Sequence, residues 1–140
     1  MREIGFRGFD LDEKKWFYGG YFKHIKRQVS PLGDELKEED IQHIIFFDGF
    51  ADWNMPKPIK IVTKVDKDSI GQYTGLKDKN GVEIFEGDIV KTTNRKGTIK
   101  FIWSGWYFHT DKDGFVELHD VADIIEVIGN IYENKELLNE

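Results

Sequence analysis

The chain contains no cysteine, which excludes disulfides and thiolate metal sites and fits a reducing compartment. No apolar run approaches the roughly 20 residues that a membrane-spanning helix needs. The opening segment, MREIGFRGFD, lacks the apolar centre of a secretory signal, so export by that route is not expected. Basic residues are not in excess either: 20 Lys and Arg against 26 Asp and Glu give a net charge of -6. That balance argues against a generic binder of phosphate backbones, although it leaves room for a local basic stripe. Phosphate-loop and G-x-S-x-G signatures are missing, and neither FRGFD nor FDGF is a dinucleotide fingerprint. A dehydrogenase, kinase or serine hydrolase therefore has no support.

What is present points to β structure. With 140 residues and 39% hydrophobic content, the chain can build a core without staples, and an aromatic share of 14% favours strands. Ile4 to Phe9 and the later WFYGGY read as a hairpin around a charged loop. Ser30 to Asp40 reads as a surface excursion. IIFF at 44–47 and IKIVTKV at 59–65 are strand-like, with Pro56 and Pro58 marking irregular backbone before the second. Asp66 to Ser69 is a polar break, Ile89 to Thr93 a strand, and Ile124 to Tyr132 the last strong strand. Asn134 is placed to cap a short helical start at KELL.

Three turns set the registers. Asp78-Lys79-Asn80-Gly81 predicts a type I turn, with Asp bonding the backbone and Gly81 at positive φ. A bulge at Gly81 pairs Lys77 with Glu83 and Leu76 with Ile84, and avoids setting Asp78 against Glu83. Ser104-Gly105 reads as a two-residue loop, which places Trp103 opposite Trp106, Phe101 opposite Phe108 and Ile102 opposite Tyr107. Ile99, Phe101, Trp103, Trp106 and Phe108 then share a core face, and Lys100, Ile102, Tyr107 and His109 share the other. Asp111-Lys112-Asp113-Gly114 turns the chain into FVEL. Many short strands and little helix predict a small β barrel or sandwich.

MREIGFRGFD with KKWFYGGY, then IGQYTGLKDKNGVEIFEGDIV, then IEVIGNIYENKELL resemble the opening, centre and close of the YopX-like proteins of bacteriophages and prophages. The resemblance spans nearly the whole chain apart from Val29 to Met55, and departs at Lys135, where the family commonly has Pro. It implies a mainly β, SH3-like barrel of short antiparallel strands with an N-terminal hairpin extension. On that reading 1–140 is a single domain, with a hairpin region at about 1–28, a variable excursion at about 29–55 and a barrel core at about 59–133. It also implies a phage-encoded protein in the bacterial cytoplasm, and no particular catalytic activity.

Candidate chemistry is thin. His109, Asp111, Asp113, Gly114 and Asp120 mimic part of a calcium-loop spacing, but with His first, Asp last and strands where that motif needs helices. His24 and His43 have no partner at helical spacing. His109 and His119 could meet across strands near Asp111 and Asp120, but lack a third defined ligand. Glu86 and Asp88 flank a turn glycine, where Asp commonly bonds backbone. No catalytic, cofactor or metal residues are therefore assigned. Lys91, Arg95, Lys96, Lys100 and Tyr107 form a basic and aromatic cluster that suits partner or single-stranded nucleic-acid contact, with Tyr107 as its outward ring. The leading expectation is a non-enzymatic module that binds phage or host proteins and forms a homo-oligomer. The N-terminal strands are a candidate for pairing on a neighbouring subunit. A nucleic-acid-binding barrel is the alternative, and no membrane contact is expected.

Overall fold

A computed structural model describes residues 5–25, 38–46 and 62–139. The excursion expected at Ser30 to Asp40 and the two prolines fall largely outside the described residues. The chain divides into two compact units, Gly5–Ile70 and, from Gly71 on, the remainder.

In the first unit, β1 (Phe6–Asp10) and β2 (Lys15–Ile25) form the expected hairpin, with Phe6 opposite Gly19 and Asp10 opposite Lys15. The carboxylate of Asp10 accepts from the backbone N–H of Asp12 and Glu13, which fixes the charged turn, and also receives the hydroxyl of Thr63. β3 (Ile41–Phe46) pairs with β2, and β4 (Val62–Val65) pairs with β3, giving the antiparallel order β4-β3-β2-β1. The N-terminal strands thus pair within their own chain.

In the second unit, β5 (Gly71–Lys77) and β6 (Glu83–Phe85) form the hairpin built on the Asp78 turn. Gly81 takes φ +82°, and Lys77 stands opposite Glu83 as the sequence requires. The next pair is Tyr73 with Phe85, not Leu76 with Ile84. The cause is a second irregularity at Gly75, φ +87°, where the Thr74 hydroxyl donates to the Ile84 carbonyl at 2.8 Å in place of a backbone partner. A hydroxyl beside a glycine lets three residues oppose one.

β7 (Asp88–Lys91), β8 (Lys96–Ile102), β9 (Gly105–Thr110), β10 (Gly114–Glu117) and β11 (Glu126–Asn130) make a five-stranded antiparallel sheet in the order β10-β9-β8-β7-β11. Its core face carries Val90, Ile99 and Phe108, packed with Ile84 and with Leu118, Ala122 and Ile125 around a short helix, α1 (Leu118–Val121). The FVEL run divides: β10 ends at Glu117, and Leu118 begins α1 and is fully buried. Asn134 caps no helix with its side chain. It reaches back to accept from the Asn130 N–H at 3.2 Å, and the 3-10 helix Lys135–Asn139 follows. The class is mainly β, with short antiparallel strands. Among the described residues no helix is long and apolar enough to cross a membrane.

Candidate functional site

The β8–β9 hairpin turns one residue earlier than its glycine suggests. Ile102 stands opposite Gly105, Phe101 opposite Trp106, Lys100 opposite Tyr107 and Ile99 opposite Phe108. The loop is Trp103-Ser104, both left-handed at φ +49° and +61°. Two consecutive left-handed residues give a turn whose twist matches the strands it joins. The slip displaces each partner by two residues, so it preserves which residues share a face. It does change what is buried. Trp103 leaves the expected core and is 73% exposed, and Phe101 is 50% exposed, packed on Trp106 with ring centroids 4.9 Å apart.

Trp103 folds onto the outer face. Its ring stands edge-on to Tyr107 at 5.7 Å and to Phe115 at 5.2 Å, and Phe115 lies tilted against His109 with ring centroids 4.4 Å apart. Two cross-strand rows build this face. One runs Lys100, Tyr107, Glu117 and the next Thr98, His109, Phe115, each from β8 through β9 to β10. Tyr107 is therefore not the lone outward ring that the alternation implied. Phe115 and Glu117 could have been found by carrying the Asp111–Gly114 turn register outward from β9. Trp103 could not, because nothing in its residue type marks a turn.

At the far end of the same sheet, Lys91, Arg95, Lys96 and Lys112 line a groove of about 410 Å³ with Thr110, Asp111 and Leu138. The structure thus gathers Lys91, Arg95 and Lys96 in the groove, and sets Lys100 beside Tyr107 on the outer face. Much of this charge is engaged within the chain. Lys91 lies 3.6 Å from Glu126, Arg95 pairs with Asp113, and the Lys96 ammonium donates to the Leu137 carbonyl at 3.3 Å.

The other polar candidates are held apart. Asp113 is committed to Arg95 and Thr110. His109 packs on Phe115, and His119 sits on α1 beside Asp120, 3.5 Å away. Among the described residues no three His, Asp or Glu side chains converge as metal ligands would. Asp88 is 1% exposed and accepts from the Phe85 N–H at 2.8 Å, while Gly87 takes φ +87°, a corner built to hold backbone. Asp78 accepts three backbone N–H bonds, from Asn80, Val82 and Val127. Burial pushes its carboxyl up, but those bonds and the Lys79 charge outweigh burial and hold it below the ordinary aspartate range.

Among known families, the model described as YopX protein matches residues 5–139. The chain is also similar to the crystal structure of protein EF1440 from Enterococcus faecalis, at 28% identity and a TM-score of 0.50, covering 99% of each chain. No curated protein matches it.

Proposed function

The chain belongs to the YopX family, and we propose that it is a non-enzymatic module that acts by binding protein, further copies of itself included. The observation that carries this reading is the outer aromatic face, on which Trp103, 73% exposed, and the exposed Phe115 pack with the half-buried Tyr107. Soluble proteins seldom leave a connected group of large rings in water unless a partner covers it. The buried or paired carboxylates have structural employment: Asp78 and Asp88 hold backbone, and Asp113 holds Arg95. The family resemblance supports an accessory protein of a phage or prophage, acting in the bacterial cytoplasm on a phage or host protein. Partner capture from a phage-bearing host, wild type against a Trp103→Ala/Phe115→Ala double variant, tests the reading. A specific partner, or self-association, lost with the rings is expected. An unchanged set of bound proteins, or turnover of a substrate abolished by one polar substitution, would overturn it.

A second reading, single-stranded nucleic acid, is favoured by one observation: the groove cations Lys91, Arg95, Lys96 and Lys112 share a sheet with the outward rings. Bases would stack on Trp103 and Tyr107 while lysines follow the phosphates. Against it, Glu117, Glu126, Asp111 and Asp113 interleave with those cations, and a polyanion must displace or oppose them. Titration of labelled oligonucleotides at two salt concentrations decides it. Binding that weakens steeply with salt supports this reading, and none at low salt removes it.

A further inference from the structure

We propose that the outer face of β8, β9 and β10 is a two-fold self-association surface, on which Lys100 of each chain meets Glu117 of the other across a central pair of Tyr107 rings. This deepens the self-association reading above and rests on it.

The row Lys100, Tyr107, Glu117 places a cation, an aromatic ring and an anion on three adjacent strands. Strands lie about 4.8 Å apart, so the two charged residues are rooted roughly 10 Å from one another with the tyrosine between them. Among the described residues neither Lys100 nor Glu117 has an ion-pair partner. Both are exposed. A face whose charges are opposite on either side of an apolar centre is complementary to itself.

The pattern also selects the symmetry. An isologous contact sets residue i against j and j against i. For two sheets meeting by the same face, the two-fold axis lies between them and parallel to them. If it runs along β9, above Tyr107, it exchanges left and right: Lys100 faces Glu117 twice, and Tyr107 faces itself. If it runs across the strands instead, Lys100 faces Lys100 and Glu117 faces Glu117, which repels on both sides. Only the first orientation uses the charges. It also keeps the strands of the two sheets nearly aligned, an ordinary geometry for sheets packed face to face. It also brings the two exposed Trp103 rings together at the hairpin ends. The half-buried Tyr107 and the exposed Trp103 and Phe115 rings of each chain become the dry centre, and the charged pair forms the rim.

A second copy fits this pattern better than a nucleic acid does, since Glu117 faces outward beside Tyr107 and Phe115, where a phosphate chain would run. It also explains how a chain of net charge -6 can meet itself: the contact is locally balanced although the whole is not.

Sedimentation and light scattering across a wide concentration range provide the test, on the full chain and on Lys100→Glu, Glu117→Lys and the double exchange. The wild type is expected to move from 16.4 kDa towards twice that mass as concentration rises. By symmetry each single exchange creates two like-charge contacts, so dissociation should strengthen by about tenfold or more. The double exchange should return association to near the wild-type value, and an equimolar mixture of the two single variants should form the mixed dimer. At concentrations low enough to keep every chain monomeric all four should melt alike, because both positions are exposed. An oligomer indifferent to both single exchanges, or a double exchange that fails to recover, overturns this face while leaving self-association standing. A wild type that stays at one chain's mass throughout removes self-association and this face together. A monomer that binds a labelled single-stranded oligonucleotide, and loses it with Lys100→Glu, assigns the face to nucleic acid and overturns the proposal.

Discussion

Replacing Asp78 should show how much of the second unit hangs on one carboxylate. Asp78 is 6% exposed. One of its oxygens accepts from the N–H groups of Asn80 at 2.8 Å and Val82 at 2.9 Å, and the other accepts from Val127 at 2.9 Å. The first two bonds shape the β5–β6 turn, and the third ties that turn to β11, where the Lys79 N–H also donates to the Ile125 carbonyl. Hydrogen bonds to a charged group are worth roughly 1.5–3 kcal/mol each, and a buried donor left alone costs about 1–3 kcal/mol. The residues Asn80 and Val82 are exposed, so water can replace part of what they lose, whereas Val127 is half-buried. Asp78→Ala should therefore cost about 2–4 kcal/mol in urea unfolding, a large part of the roughly 5–15 kcal/mol of a typical domain. Asp78→Asn keeps an acceptor for one side but turns an NH2 group towards a backbone N–H, and should cost less than the alanine.

The pH dependence follows from the sign of the shift. Burial raises the Asp78 carboxyl, but the bonds from Val127, Val82 and Asn80 and the Lys79 charge lower it further, so the folded carboxyl titrates below the unfolded one. The unfolded value is about 3.9. The stabilisation is then fully present above that value and is lost as the pH falls through the folded value. The gap in unfolding free energy between wild type and Asp78→Asn should be wide at pH 7 and narrow as acid is added. A gap that is constant with pH, or an alanine variant within about 0.5 kcal/mol of wild type, would refute the reasoning, since ordinary surface substitutions fall in that range.

Phe108→Ala should cost about 3–5 kcal/mol because its ring fills the core, whereas Phe101→Ala, half open to water, should cost nearer 1 kcal/mol; equal melting shifts would contradict the assigned faces. A Cβ on Gly97 would collide with the His109 carbonyl oxygen, so Gly97→Ala must part β8 from β9 and should cost about 3 kcal/mol or more in the same melts. At Gly20 the equally close atom belongs to the exposed Phe46 ring, which can swing aside, so Gly20→Ala should cost under about 1 kcal/mol. Ser104→Gly relieves a left-handed residue and should raise stability by about 1 kcal/mol; a loss would count against the Trp103-Ser104 turn.

Turns were legible where a side chain states the backbone's need. Asp78 and Gly81 name their own geometry, one by accepting N–H bonds and one by taking positive φ, and the pair Lys77 with Glu83 follows. Trp103 and Ser104 name nothing, and the adjacent Gly105 suggests the wrong loop. Both registers put Ile99 and Phe108 on the core face, but only the observed one sets them directly opposite one another. Alternation correctly separated the two faces within β8 and β9, but it misplaced Trp103, which lies in the turn, and it could not tell core from rim. Ile99 and Phe101 share a face, but the first is covered by the packing around α1 and the second lies past it, against Trp106.

The basic cluster shows the same limit in electrostatic form. Lys91, Arg95, Lys96 and Lys100 are neighbours along the chain, so a sequence reads them as one patch of positive charge. Folding hands three of them partners from distant segments: Glu126 on β11, Asp113 in the β9–β10 turn and the Leu137 carbonyl near the C-terminal end. At exposed sites ion pairs such as the first two contribute only about 0–1 kcal/mol each, so they stabilise the fold little, but the two carboxylates offset the field that a phosphate chain would follow. Lys100 escapes this, and the residue across the sheet from it is an equally unengaged Glu117. A lone basic stripe would attract any polyanion. An unpaired cation and an unpaired anion on either side of one ring attract a surface of the opposite arrangement, and the surface sure to carry it is the same chain turned over.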